Sequence, residues 1–221
     1  MQFGELPYDV AHLLGGAMLL ASFVLLYQRR LEAVVTALAA QGVLLALAAA
    51  WQGWVQGAPG LYLTALIALA AKGILIPLLL RRMVARMPPA ARIEATPRIG
   101  LSLVAGMGLV ALSLLVALPV AANARALARE DLAMALSLVL IGLLMMATRR
   151  LAITQLAGLM TLENGLVLAA VGVAGMPLVV ELSTAGLVLV VAILAGTFAQ
   201  QLRERWGSDD TATLDHHRGE G

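Results

Sequence analysis

The chain has 221 residues, of which 61% are hydrophobic and 13% are charged, and its formal net charge is +2. A soluble domain of this length cannot bury so many apolar side chains, so the composition indicates a membrane protein. The chain contains no cysteine, which excludes disulfides, thiolate metal sites and cysteine nucleophiles.

Apolar runs recur along the chain, and each is about long enough to cross roughly 30 Å of hydrocarbon as a helix. The runs are continuous rather than alternating, and backbone groups in lipid must be satisfied within the segment, which predicts helices. The first run is predicted to be a retained span, because the N-terminus lacks a basic region and an A-x-A cleavage pattern. The predicted fold is an all-α polytopic membrane protein with seven spans, at residues 9–27, 32–54, 60–82, 99–122, 131–148, 151–174 and 178–201.

Arginines near the ends of these spans predict the orientation, because cytoplasmic loops carry an excess of positive residues. If the N-terminus lies outside, the outer side carries two arginines, Arg125 and Arg129. The inner side then carries eleven, namely Arg29, Arg30, Arg81, Arg82, Arg86, Arg92, Arg98, Arg149, Arg150, Arg203 and Arg205. We therefore predict an N-out, C-in topology.

The spans fall into groups separated by polar segments. Residues 1–82 hold the first three spans, 83–98 form a basic, proline-containing cytoplasmic loop, and 99–122 form the fourth span. Residues 131–206 hold the last three spans, and 207–221 form a flexible cytoplasmic tail. The loop is read either as a solvated segment attracted to anionic lipid or as a docking surface for a cytoplasmic partner.

A weak internal repeat relates two parts of the chain. Residues 29–51 and 149–175 both open with Arg-Arg-Leu, and Gln41-Gly42 falls near the place of Asn164-Gly165. Spans 1–3 and 5–7 are therefore predicted to be related units in parallel orientation, joined by the fourth span.

Glu163 lies in the sixth apolar run, 13 residues beyond Arg150, or about 20 Å along a helix axis. A carboxylate near the bilayer centre costs about 3 kcal/mol on insertion scales, and such residues usually face a protein interior or a wet path. Burial disfavours the charged form, so a carboxyl at this depth can take up and release a proton. The alternative is a carboxyl that only bonds a neighbouring helix.

Glycines on the same run predict which way Glu163 points. Gly158, Gly165 and Gly172 recur every seven residues and form one smooth seam suited to close helix packing. Glu163 is two residues from Gly165, so it is predicted to point to nearly the opposite side.

Lys72 is the only lysine and lies nine residues before Arg81, about 13 Å from the cytoplasmic end of the third run. Pro77 cannot donate to the carbonyl of Gly73, so the helix is predicted to kink beside Lys72. A charge beside a broken hydrogen-bond ladder is a common setting for an ion path, and the alternative is a snorkelling or structural cation. A Lys72–Glu163 pair would lower the insertion cost of both groups, although the sequence does not show that they meet.

Other polar residues could extend a path through the membrane. Glu181 lies near the outer edge of the seventh run and is either the mouth of the path or an interfacial carboxylate at a helix N-terminus. Residues that could form a hydrogen-bonded line, or simply join helices, are His12, Gln41, Gln155, Asn123 and Asn164. The chain has no Walker loop, no dinucleotide-binding motif after a strand, no HExxH and no GxSxG, so no self-contained catalytic site is predicted.

The segments around the deep charges resemble the membrane subunit called hydrogenase-4 component E. They are LMTLENGLVLAA around Glu163, AKGILIPLLL around Lys72, MPLVVEL around Glu181, and TLD at 213–215. The resemblance covers nearly the whole chain, and its most specific part is Leu-Glu-Asn-Gly at 162–165 followed by Pro-Leu-Val-Val-Glu at 177–181. Component E is related over its last three helices to the 4L (chain K) subunit of respiratory complex I.

The resemblance implies a non-catalytic subunit of a complex-I-like or membrane-bound NiFe-hydrogenase complex in the bacterial inner membrane, where electron transfer in a peripheral arm drives proton movement. Implied partners are antiporter-like membrane subunits, another small membrane subunit and a hydrogenase-like arm. Iron–sulfur clusters and a NiFe centre would belong to those partners, with no cofactor, metal or nucleic acid bound by this chain. Carried over by position, Glu163 is the mid-membrane glutamate of the proton path, and Lys72 and Glu181 are its partners in the third and seventh spans.

One departure from the family pattern concerns the seventh span. The family has an acidic residue six positions after the glutamate that matches Glu181, and this chain has Leu187 there. A path through that span is therefore expected to be shortened, rerouted or lost. Two other functions stay open at this point, a stand-alone small-solute transporter and a structural scaffold in which Glu163 is inert.

Overall fold

The structure, a computed structural model, describes residues 6–89, 99–120 and 126–172, together with Gly186. The described residues form helices and no strands, which confirms the all-α part of the predicted fold class. Its elements are α1 (Leu6–Tyr27), α2 (Leu31–Gln56), α3 (Gly60–Ala68), a π-helical segment (Leu69–Leu75), α4 (Ile76–Ala85), α5 (Ile99–Val120), α6 (Ala126–Thr148) and α7 (Ala152–Gly172).

Within these residues, five helical stretches are long and apolar enough to cross a membrane. They are Asp9–Tyr27, Leu31–Gln56, Gly60–Ala85, Ile99–Ala117 and Ala152–Gly172, and Leu132–Thr148 is a shorter apolar helix. They match the first six predicted runs in order. Apart from Gly186, the predicted seventh span and the tail lie outside the described residues, with Glu181, Leu187, Arg203 and Arg205, as do Asn123 and residues 90–98 of the loop.

Helix α2 is the centre of the packing. It contacts α1, α3, the π-helical segment, α4 and α7, whereas α7 packs most extensively against α6. Helix α5 contacts α6 and α1 and is the least buried of the five candidate spans. The residues that meet around α2 therefore come from both ends of the sequence.

Helices α2 and α7 run side by side in the same direction. Asn164 Nδ2 donates to Gln41 Oε1 at 3.2 Å, and further along both helices Gln56 Nε2 donates to the carbonyl of Val171 at 3.0 Å. This agrees with the parallel orientation expected from the internal repeat. In the connection between α6 and α7, the buried Arg149 donates through Nη2 to the carbonyl of Leu25 at 3.2 Å, which satisfies an open carbonyl at the end of α1.

The glycine seam of α7 is confirmed at two of its three positions. A Cβ on Gly158 would lie 2.9 Å from the carbonyl oxygen of Gly142, and one on Gly165 would lie 2.7 Å from that of Ala135. Both contacts are with the α6 backbone, so the absence of a side chain permits the close approach. Gly172 has no atom within 4 Å of such a Cβ and does not extend the seam among the described residues.

The backbone hydrogen bonds of the third span depart from the α-helical pattern in a way that the sequence did not specify. A kink was predicted beside Lys72, and the chain there widens into the seven-residue π-helical segment Leu69–Leu75. The N–H of Ile76 donates to the carbonyl of Ala71, five residues back, and Pro77 follows without an N–H to donate. Segments of this kind are rare and occur often at functional sites.

Candidate functional site

The two deep charges form a buried ion pair. Lys72 Nζ lies 3.0 Å from Glu163 Oε1, and the two side chains are 1% and 8% exposed. Lys72 comes from the π-helical segment and Glu163 from α7, on the side of that helix away from the glycine seam. The structure therefore brings together the two residues whose meeting the sequence left open.

A line of neutral polar groups continues from Lys72 to α1. Lys72 Nζ donates to Asn164 Oδ1 at 3.0 Å, and Asn164 Nδ2 donates to Gln41 Oε1 at 3.2 Å. Gln41 Nε2 donates to Ser22 Oγ at 2.8 Å, and Ser22 Oγ donates to the carbonyl of Met18 at 3.0 Å. We call Asn164, Gln41 and Ser22 the amide arm. It joins α7, α2 and α1 to the ion pair.

Sequence reasoning missed two members of this network. Ser22 accepts from Gln41, and Thr161 Oγ1 lies 3.2 Å from Gln41 Oε1 while also donating to the carbonyl of Ala157 at 2.8 Å. Both side chains are fully buried. Their only signal was a hydroxyl within an apolar run, and a hydroxyl there is commonly satisfied by the carbonyl four residues back in its own helix.

The polar network separates two apolar clusters. A leucine-rich cluster lies toward Arg149 and includes Leu25, Leu26, Leu31, Leu38, Ile76, Leu80, Ile141, Met145 and Met160. An alanine-rich cluster lies on the other side and includes Met18, Leu45, Ala46, Ala48, Ala49, Ala65, Ala68, Ala135, Leu138 and Val167. The charges thus interact in an apolar surrounding, where Coulomb attraction is much stronger than in water.

Close backbone contact holds Lys72 in place. A Cβ on Gly42 would lie 2.6 Å from the carbonyl oxygen of Lys72 and 2.9 Å from the nitrogen of Gly73. Because only a glycine permits this approach, Gln41-Gly42 positions α2 against the π-helical segment. The same dipeptide therefore supplies the packing contact and the amide that continues the network.

The Glu163 carboxylate has fewer polar contacts than the Lys72 ammonium. Its Oε1 contacts Lys72 Nζ at 3.0 Å, and within the described part of the chain Oε2 has no hydrogen-bond partner. Lys72, in contrast, donates a well-formed hydrogen bond to Asn164. The asymmetry leaves Glu163 as the member of the pair with acceptor capacity to spare.

Two other predicted site residues stand apart from this network. His12 is exposed on α1, ten residues before Ser22, or about 15 Å along the axis, so the structure does not bring it to this network and its place in the proton path stays a prediction. The network reaches α1 at Ser22 instead, because that residue lies on the face that packs against α2. Gln155 is exposed and donates to the carbonyl of Arg149 at 2.9 Å, and the described residues contain no group of three potential metal ligands.

Comparison with known proteins identifies one relative over nearly the full length. No protein-family model and no solved structure matches the chain. The chain is 33% identical over 202 residues to the uncharacterized protein Rv0085 of Mycobacterium tuberculosis, and the match covers 90% of this chain and 91% of the relative. This chain therefore belongs to the same family as the mycobacterial protein Rv0085.

Proposed function

We propose that the chain is a membrane subunit of a complex-I-like or membrane-bound NiFe-hydrogenase complex, in which it contributes to a proton path coupled to electron transfer in a peripheral arm. The observation that carries the proposal is the buried Lys72–Glu163 pair, which lies between two apolar clusters. Ionisable residues inside a membrane are rare, and they mark ion pathways and proton relays more often than simple packing.

The pair has the chemistry of a proton-carrying site. Glu163 can exist as a carboxylate beside the ammonium or as a neutral acid, and the difference between the two states is one proton. Lys72 offsets the cost of burying the carboxylate, so the charged state is accessible at this depth. A proton arriving from a neighbouring group would neutralise Glu163, and its departure would restore the pair.

The resemblance to hydrogenase-4 component E supports the proposal that this site belongs to a multisubunit redox complex. It supplies the expected partners, which are antiporter-like subunits, another small membrane subunit and a hydrogenase-like arm that carries the iron–sulfur and NiFe centres. The seven-span, N-out topology and the bacterial inner membrane are parts of the same proposal. Glu181 is assigned to the path by that resemblance.

A structural scaffold is the second candidate. It is favoured by the amide arm, which holds Lys72 through a continuous line of hydrogen bonds. A stand-alone transporter is less well supported, because the described residues show one departure from α-helical hydrogen bonding within a span, at Leu69–Leu75. Transporter sites of this kind are typically built from several discontinuous helices.

Co-purification tests membership of a complex. The tagged chain, extracted from its native membranes in mild detergent, is expected to bring with it large antiporter-like membrane subunits and iron–sulfur proteins, identified by mass spectrometry. The control is the same tag on an unrelated seven-span protein. A chain that purifies alone, folded and monodisperse, would overturn the proposal.

Cysteine labelling tests the topology. The chain has no natural cysteine, so single substitutions report directly. Gly60→Cys and Arg86→Cys lie at opposite ends of the third span, and both positions are exposed. A membrane-impermeant maleimide added to intact cells is expected to label position 60 and leave position 86 unlabelled until the cells are opened. The reverse pattern would contradict the N-out topology.

A further inference from the structure

The amide arm assigns different roles to the two members of the ion pair. We infer that Gln41, oriented by Ser22, is a positioning residue that holds the Asn164 carbonyl on Lys72, so that Lys72 stays a fixed ammonium and proton exchange is confined to Glu163. This inference rests on the proposed function, because it names which group of the same site carries the proton.

The donor and acceptor orientation of the side chains in the amide arm is set at its α1 end. Ser22 has one hydroxyl proton, and it is donated to the carbonyl of Met18 at 3.0 Å. The hydroxyl oxygen is then available as an acceptor, and it faces Gln41 at 2.8 Å. Only the NH₂ group of Gln41 can donate to it. Gln41 Nε2 also lies 3.4 Å from the carbonyl of Met18, a second acceptor on the same side.

This orientation passes along the arm to Lys72. With its NH₂ group toward α1, Gln41 presents Oε1 to α7, where it accepts from Asn164 Nδ2 at 3.2 Å. Asn164 must therefore present Oδ1 to Lys72 Nζ, at 3.0 Å. An ammonium has three donors and no acceptor, so a flipped Asn164 would set N–H groups against the lysine. The arm in its observed orientation matches a protonated Lys72.

The arm cannot itself conduct protons. Its three side chains are two amides and one hydroxyl that is already committed, and it ends on the backbone carbonyl of Met18. None of these groups titrates in the physiological range. A proton therefore does not leave the pair toward α1. Glu163, whose Oε2 lacks a hydrogen-bond partner among the described residues, is the remaining place for exchange.

Ser22 provides a test that avoids the ion pair. Threonine and valine have nearly the same shape, but only threonine retains the hydroxyl that orients Gln41. Ser22→Val removes the acceptor at 2.8 Å and leaves Gln41 Nε2 with the longer contact to the carbonyl of Met18 at 3.4 Å. The arm then holds the Asn164 carbonyl on Lys72 less firmly, and a larger fraction of molecules lose that acceptor. The proton on Nζ is then expected to pass to Glu163, which converts ammonium and carboxylate into amine and carboxylic acid with no change in net charge.

Carbodiimide labelling measures that acid directly. Dicyclohexylcarbodiimide enters the membrane and reacts with a protonated carboxyl, whose proton moves to a carbodiimide nitrogen while the carboxyl oxygen bonds to the central carbon. The extent of labelling of Glu163 in native membranes is read by mass spectrometry of the peptide that contains residue 163. Labelling of Glu163 is expected to be at least about tenfold greater in the Ser22→Val protein than in the Ser22→Thr protein, because a hydrogen bond to a charged group is worth at least about this factor.

Ser113→Val is the matched control. Ser113 is also fully buried and donates to the carbonyl four residues back, Leu109, at 2.9 Å, but it lies on α5 and outside the network. Glu163 in the Ser113→Val protein is expected to be labelled to the same extent as in the wild type. If Ser22→Val does not accumulate in membranes, Gln41→Leu removes the acceptor for Asn164 and is expected to raise labelling in the same way.

Equal labelling of the Ser22→Val and Ser22→Thr proteins would overturn the inference, and so would a similar rise in Ser113→Val. The labelling needs neither an electron donor nor an identified partner. A failure of the proposed function would instead appear as normal proton transport by a Glu163→Gln protein, so the two outcomes are distinguishable.

Discussion

Glu163→Gln is expected to abolish proton movement coupled to electron transfer while leaving the protein assembled with its partners. Glutamine has nearly the same shape as glutamate and keeps an oxygen that can accept from Lys72, 3.0 Å away, so the packing of α7 is retained. It cannot take up or release a proton. Positioned proton-transfer groups typically contribute about 100-fold or more to rate, so the coupled flux is expected to fall at least that far.

The measurement uses inverted membrane vesicles loaded with a fluorescent pH indicator. Electron transfer is driven through the co-purified peripheral arm, and proton uptake is expressed per electron transferred. Glu32→Gln is the matched control, because Glu32 undergoes the same chemical change at the exposed start of α2. That control is expected to behave as the wild type.

Two results would contradict the prediction for Glu163→Gln. Normal coupled transport by this variant would show that Glu163 is not a proton carrier. Loss of the partner subunits on purification would favour the scaffold function, since the carboxylate would then be needed for assembly rather than for transport.

Lys72→Met is expected to be the most destabilising single substitution in the network. Methionine matches the lysine stem in size, so the main change is the loss of the charge that faces Glu163 and of the donor to Asn164. Removing one partner of a buried ion pair typically costs about 3–5 kcal/mol, because the other charge is left without compensation. The free energy of unfolding of this chain, measured by denaturant titration of the co-purified complex in mild detergent, is expected to fall by about that amount.

A double-mutant cycle separates the charge effect from packing. Lys72→Met combined with Glu163→Gln removes both charges. The loss of unfolding free energy in this double variant is expected to be smaller than the sum of the two single losses by about 0.5–3 kcal/mol. Strictly additive costs, or a Lys72→Met protein as stable as the wild type, would show that the ion pair does not contribute to the fold.

Much of the helical framework could be predicted from the sequence, because the signals for it are local. Apolar runs of spanning length predicted α1, α2 and the third span, and glycine spacing predicted the side of α7 that packs on α6. Arginine positions predicted an orientation, and the depth of Lys72 and Glu163 followed from counting residues. In each case the property depends on neighbouring residues or on helix rise alone.

The identity of the site's partners depended on tertiary structure. Lys72 and Asn164 are 92 residues apart in the chain, and their contact exists only because α2 brings the third span and α7 together. An apolar run gives little indication of which face meets protein and which meets lipid. The sequence of α1 alone therefore could not show that Ser22, and not His12, lies in the polar network.

Pro77 likewise separates what the sequence predicts about the backbone from what only the tertiary structure shows. The sequence determined that the third span must depart from α-helical hydrogen bonding near Lys72, because proline lacks an N–H. Only the structure shows that this departure is a π-helical segment and that the Gly42 backbone packs directly on its Lys72 carbonyl. The sequence alone thus determined that two long apolar segments carry a lysine and a glutamate far from their ends. Only the packing of three distant helices decided that they form a pair, because a buried charge is stabilised by whatever group the fold places within a few ångströms of it.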